Sequence, residues 1–133
     1  MSKPIASIMR TQATTVAMDA TLAQVEDTLR LHHLSAVPVI ERPRGAVLGI
    51  ISARDLAQAH HDKRKAGEVR AWEICSYKPV EVDPSASLSE VARLMVARDI
   101  HHVLVTDNKA IVGIVSALDF VRQFIEEDTG NPS

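Results

Sequence analysis

Two stretches of the sequence, "LGIISARD" at Leu48–Asp55 and "VGIVSALD" at Val112–Asp119, share one pattern: Gly, two apolar residues, Ser, Ala, any residue, Asp. Gly49, Ser52 and Asp55 match Gly113, Ser116 and Asp119 at an offset of 64. Upstream the offset is 66, pairing Thr21 with Ser87, Leu22 with Leu88, Val25 with Val91, Leu29 with Met95 and Leu34 with Ile100. The two-residue difference falls between Val39 and Gly49, where "IERPRGAVL" faces the shorter "TDNKAIV". A surface turn tolerates such a change in length. Two aligned copies with a single insertion in a loop form an internal repeat.

Both copies carry the same order of elements. "TTVAMDA" and "KPVEVDPSA" read as short extended segments. Thr21 with Gln24 and Ser87 with Glu90 have the spacing of capping boxes, followed by apolar residues at helical intervals. "AVPVI" and "HVLVT" are β-branched, apolar strands, "RPRG" and "DNK" are turns, and "VLGIIS" and "IVGIVS" are the next strands. "ARDLAQAHH" and "ALDFVRQFIEE" close each copy as helices. The expected fold is α/β (α+β), two β-α-β-β-α repeats packed with pseudo-two-fold symmetry. A unit of about 55 residues buries too little surface to stand alone, so clefts between two packed halves are expected. The expected boundaries are a first repeat at 1–61, a linker at 62–70 containing the charged "DKRKAGE", a second repeat at 71–127 and a tail at 128–133.

Bulk composition narrows the function. The 133 residues are 46% hydrophobic and 24% charged, which suits a folded globular chain. Aromatics are only 3%, too few for base-stacking platforms, and the net charge of -2 disfavours a phosphate backbone as partner. No nucleic-acid and no membrane partner is expected, since no apolar run approaches the roughly 20 residues of a membrane helix. The N-terminal "MSKPIASIMRTQATTV" lacks the apolar core of a signal peptide, and Cys75 is the single cysteine. A cytoplasmic location is the expectation.

Ser-X-X-Asp after a strand has two compatible readings. Ser52 and Ser116 can cap the helix that follows, with Asp55 and Asp119 favoured in its positive first turn. The same helix start can seat a phosphate, and an ionised Asp can accept from two neighbouring ribose hydroxyls. Gly49 and Gly113 let a neighbouring backbone come close.

The duplicated unit, with "VPVI…GIISARD" and "HVLV…GIVSALD", resembles a tandem pair of CBS domains, a Bateman module, over roughly Ile8 to Glu126. The resemblance implies a regulatory, non-catalytic module that binds AMP, ADP or ATP, or S-adenosylmethionine or NAD, in the clefts. It implies no cofactor beyond that adenine nucleotide, which can bring magnesium with it. Asp55 and Asp119 are implied to hold ribose, with Ser52, Arg54, Ser116, Ser35, His101 and His102 near phosphate, and Thr15, Val16, Val37, Lys78 and Val80 beside the base. By pseudo-symmetry one cleft gathers Asp55, Ser52, Arg54, Lys78, Val80, His101 and His102, and suits two or three phosphates. The other gathers Asp119, Ser116, Thr15, Val16, Ser35 and Val37, with few cations. Family members that grip phosphates firmly often carry His-Arg before the middle strand. This chain has Ser-Ala and His-His there, so modest or pH-sensitive affinity is expected.

Such modules often form flat homodimers through their helices; Leu29, Leu56, Met95, Phe120 and Phe124 exceed what so small a core obviously needs, so some can face a second subunit, with core packing the default for each. The standalone length implies an effector protein that acts in trans. The competing reading is a ligand-free dimerisation and partner-docking module.

Other constellations are weaker. The six histidines form three adjacent pairs, and adjacent residues point in different directions, so no metal site is expected. The sequence has no P-loop, no dinucleotide glycine fingerprint and no nucleophile elbow. Trp72 and Tyr77 flank Cys75, either to pack or to stack on adenine.

Overall fold

The computed structural model describes residues 3–11, 14–41 and 45–128. The turn expected at 42–45, apart from Gly45, and the tail expected at 128–133, apart from Asp128, lie outside the described residues. The fold is a mixed α+β arrangement, as the repeat implied. The chain divides into two compact units. One is Thr14–Pro79. The other combines Met1–Ala13 with Val80–Ser133.

The Thr14–Pro79 unit runs β1 (Val16–Ala17), α1 (Leu22–His32), β2 (Ala36–Ile40), β3 (Val47–Ser52), α2 (Ala53–His61), α3 (Ala71–Ile74) and β4 (Ser76–Tyr77). Its sheet has the order β1-β2-β3-β4, with β1 parallel to β2 and the other pairs antiparallel. Thr21 and Gln24 start α1 with a reciprocal capping box. The apolar stripe Leu22, Val25 and Leu29 turns inward onto Val37, Val39 and Ile51, all buried. Burying each such side chain contributes about 1.5–3 kcal/mol. α1 ends at His33, held in the left-handed region at φ 54°, with the Leu34 N–H donating to Leu29 O at 2.9 Å.

The stretch 62–70, read as a linker, is hydrogen-bonded into this unit. The Ala23 and Leu22 N–H groups donate to Ala66 O and Val69 O at 3.0 and 2.8 Å, and Val69 is buried. Those two N–H groups are among the orphan donors of the first helical turn, so the linker completes the cap.

The other unit contains a short 3-10 turn at Ile5–Ser7, then β5 (Glu81–Val82), α4 (Leu88–Arg98), β6 (His102–Asp107), β7 (Ala110–Ser116) and α5 (Ala117–Asp128). Its sheet has the order β5-β6-β7. Leu88, Val91 and Met95 cover Val103, Val105 and Val115, with Ile5 completing the core. The Ser87 cap is simpler than its spacing predicted. Ser87 Oγ accepts from the Glu90 N–H, but the Glu90 carboxylate returns to that hydroxyl rather than to the Ser87 N–H. Asp99 ends α4 at φ 52°, the counterpart of His33. Asn108 and Lys109, both at positive φ, make the two-residue turn between β6 and β7. A register shift follows Val39 in one sheet and Val105 in the other, at equivalent places in the repeat.

Candidate functional site

In both units the strand that precedes the closing helix, β3 before α2 and β7 before α5, delivers its Ser straight into that helix. The Asp55 N–H donates to Ser52 Oγ at 3.4 Å, while the Ser52 N–H and hydroxyl return to Asp55 Oδ2 at 2.7 and 3.0 Å. The second copy repeats this: Asp119 N–H to Ser116 Oγ at 3.3 Å, and Ser116 N–H and hydroxyl to Asp119 Oδ2 at 2.8 and 3.1 Å. The cap is therefore formed, and it uses one carboxylate oxygen of each Asp.

The second oxygens differ. Asp119 is buried, and its Oδ1 meets Arg10 Nε at 3.4 Å and Arg122 Nη1 at 3.2 Å. Asp55 is only half-buried, and among the described residues no hydrogen bond reaches its Oδ1.

Residues before the middle strand adjoin the helix start of their own unit. Ala36 pairs with Ser52 across β2 and β3, and Ser35 O accepts from the Ala53 N–H at 3.1 Å. His102 pairs with Ser116, and His101 O accepts from the Ala117 N–H at 2.9 Å. Arg54 is exposed in the first turn of α2.

The residues expected beside the base behave in two ways. Val16 and Val37 are core side chains, so only their backbone can face a ligand. Thr15 is half-buried, Val80 packs partly on its unit's core, and its carbonyl accepts from the Leu104 N–H at 2.9 Å. Lys78 is exposed with a left-handed backbone at φ 54°.

The repeated glycines admit close neighbours. A Cβ on Gly49 would stand 2.5 Å from Ser76 O and 2.9 Å from Cys75 Sγ. One on Gly113 would stand 2.6 Å from Met9 Sδ and 3.1 Å from Arg10 O. Burial pushes the Cys75 thiol pKa above its ordinary value, and the Asp55 charge adds to the rise. Trp72 and Tyr77 are about half exposed, and the Tyr77 hydroxyl donates to Trp72 O. Arg10 and Arg122 were not anticipated. Arg122 stands three residues after Asp119, a spacing visible in the sequence, whereas Arg10 lies 109 positions away and carries no local signal.

A family model described as "CBS domain" matches residues 5–62 and 71–126. The chain belongs to the CBS family. It is similar to the CBS domain-containing protein YhcV of Bacillus subtilis, 29% identical over 124 residues that make up 92% of this chain and 87% of that one. Among solved structures, a protein with CBS domains from Burkholderia ambifaria matches with a TM-score of 0.86 at 23% identity, covering 98% of this chain and 100% of that one. The CBS domain pair of protein MJ0100, in complex with 5′-methylthioadenosine and S-adenosyl-L-methionine, matches at 0.84 with 22% identity, covering 96% and 100%. At these identities the structural likeness establishes the fold of the CBS pair. No helix among the described residues is long and apolar enough to cross a membrane. No group of three or more His, Cys, Asp or Glu among them is arranged to hold a metal ion.

Proposed function

We propose that this CBS pair is a cytoplasmic, non-catalytic regulatory module that senses an adenosine-containing ligand, with an adenine nucleotide of the AMP, ADP or ATP type as its first candidate. The observation that carries the reading is Asp55 Oδ1. A carboxylate already oriented by its cap offers an oxygen with no hydrogen bond among the described residues, at the start of a helix. A ribose hydroxyl is a suitable donor to it. Arg54, exposed in the same turn, can meet a phosphate as a charged donor. The MJ0100 pair, which has the same fold, is bound to two adenosine derivatives, which favours this ligand class here. The same oxygen would also serve S-adenosylmethionine or NAD. A nucleotide that needs magnesium would bring it as its own complex.

Two identical Ser-X-X-Asp caps suit binding better than catalysis, which needs a differentiated acid and base. Occupancy would reach an effector protein only through unequal affinity for two arrangements of the chain. Leu118, Val121, Phe124 and Ile125 are each at least half exposed and share one side of α5, which supports a homodimer built on that helix.

An amide-resolved NMR titration with AMP tests the ligand reading. Shifts centred on Ser52–Asp55 are expected. Shifts confined to other segments, or none at millimolar AMP, would contradict it.

A further inference from the structure

The two caps are alike, but the groups around them are not. Under the repeat offsets, Arg10 corresponds to Ser76 and Arg122 to Gln58. The backbone agrees, since Arg10 bridges Ile114 where Ser76 pairs with Ile50. Two guanidiniums therefore surround Asp119 where a serine and an amide stand in the other copy. Gln58 bonds Asp62 instead of Asp55.

Arg10 is held by its backbone, while its side chain is half exposed. Its N–H donates to Ile114 O at 2.9 Å, and its O accepts from the Ile114 N–H at 3.0 Å. Gly113, lacking a Cβ, lets Met9 lie against β7 and so brings Arg10 within reach of α5. The Arg10 side chain is 48% exposed, whereas Asp119 is 7% exposed.

We propose that Arg10 closes the ribose position at Asp119: its guanidinium holds the oxygen a ribose hydroxyl needs, so that copy takes an adenosine ligand only when the side chain swings away. The proposal rests on the reading of both aspartates as ribose carboxylates. A charged donor outcompetes a neutral hydroxyl for a carboxylate, so the two copies are unequal sites despite identical caps. Arg10 is thus an affinity-determining residue, and Arg122 stabilises the closed arrangement from the same helix.

The test is calorimetric titration with 5′-methylthioadenosine, which carries the ribose hydroxyls and no phosphate for Arg10 to attract. Wild type, Arg10→Ala, and Arg10→Ala combined with Asp119→Asn are compared. Arg10→Gln, which keeps much of the stem, replaces Arg10→Ala if the alanine variant melts early. One equivalent is expected for wild type, two for the Arg10 variant and one again for the double variant. Where wild type shows a weak second equivalent, the Arg10 variant should tighten it about tenfold. Two equal equivalents in wild type would overturn the proposal. So would an unchanged count in the Arg10 variant while Asp55→Ala abolishes the wild-type equivalent, and in that case the ribose reading survives. Binding by the Arg10 variant alone, lost in the double variant, would sustain the closure and contradict the Asp55 assignment. No binding by any variant would contradict both.

Discussion

Gly49 lies against Ser76 so closely that a Cβ would meet the Ser76 carbonyl oxygen at 2.5 Å. The equivalent position at Gly113 meets the Met9 thioether first, at 2.6 Å. A backbone carbonyl paired in a sheet cannot step aside, whereas the end of a methionine side chain can. Gly49→Ala should therefore cost about 2 kcal/mol and Gly113→Ala about 1 kcal/mol. Urea denaturation of both variants checks the order, and equal costs would count against the packing described.

The two left-handed helix ends make an independent prediction. His33 and Asp99 occupy φ 54° and 52°, where glycine is favoured. His33→Gly and Asp99→Gly should each stabilise the protein by about 0.5–1 kcal/mol. Melting temperatures that fall in both variants would show that those side chains do more than tolerate the turn.

The caps themselves have a measurable worth. Ser52→Ala and Ser116→Ala each remove an acceptor from a helix N-terminus and should cost about 1 kcal/mol. Ser52→Ala should also weaken ligand binding, because Asp55 loses the hydroxyl that orients its Oδ2. Stability loss with unchanged affinity would separate the cap from the site.

Cys75 offers a pH-dependent readout. Its folded pKa is raised above the ordinary 9.0, chiefly by burial. Less thiolate is therefore present at pH 8 in the folded chain than in the unfolded one, and alkylation by iodoacetamide should be slower before urea is added than after. In stability, the neutral thiol's contribution is present below pH 9 and lost as pH rises through the folded pKa. Equal alkylation rates would contradict the burial of this thiol.

The homodimer prediction is tested on α5. The chain should sediment at twice its mass, and Val121→Asp with Phe124→Asp should yield a folded monomer. A monomeric wild type would leave the exposed α5 side chains for another partner.

Much of this was legible in the sequence because the duplication supplied its own alignment. The apolar stripe of α1 reappears in α4, and Ser-X-X-Asp forms the cap its spacing implies in both copies. What stayed hidden is non-local. The segment 62–70, expected as a linker from its charge and its Gly, also caps α1 through the Ala66 and Val69 carbonyls, which no local pattern shows. Val16 and Val37 were expected beside a base from the family resemblance, and the burial of their side chains in the core leaves that expectation to their backbone. Arg10 reaches Asp119 only because residues 9–10 lie along β7, a pairing no periodicity announces.

The most direct measurement is calorimetric titration of the nucleotide-stripped protein with AMP, ADP, ATP, NAD and S-adenosylmethionine, run on wild type and on Asp55→Ala. Micromolar binding of at least one ligand to wild type, weakened tenfold or more in Asp55→Ala, is the expected result. No binding of any of the five, or the same affinity in both proteins, would contradict the assignment of Asp55 as the ribose carboxylate.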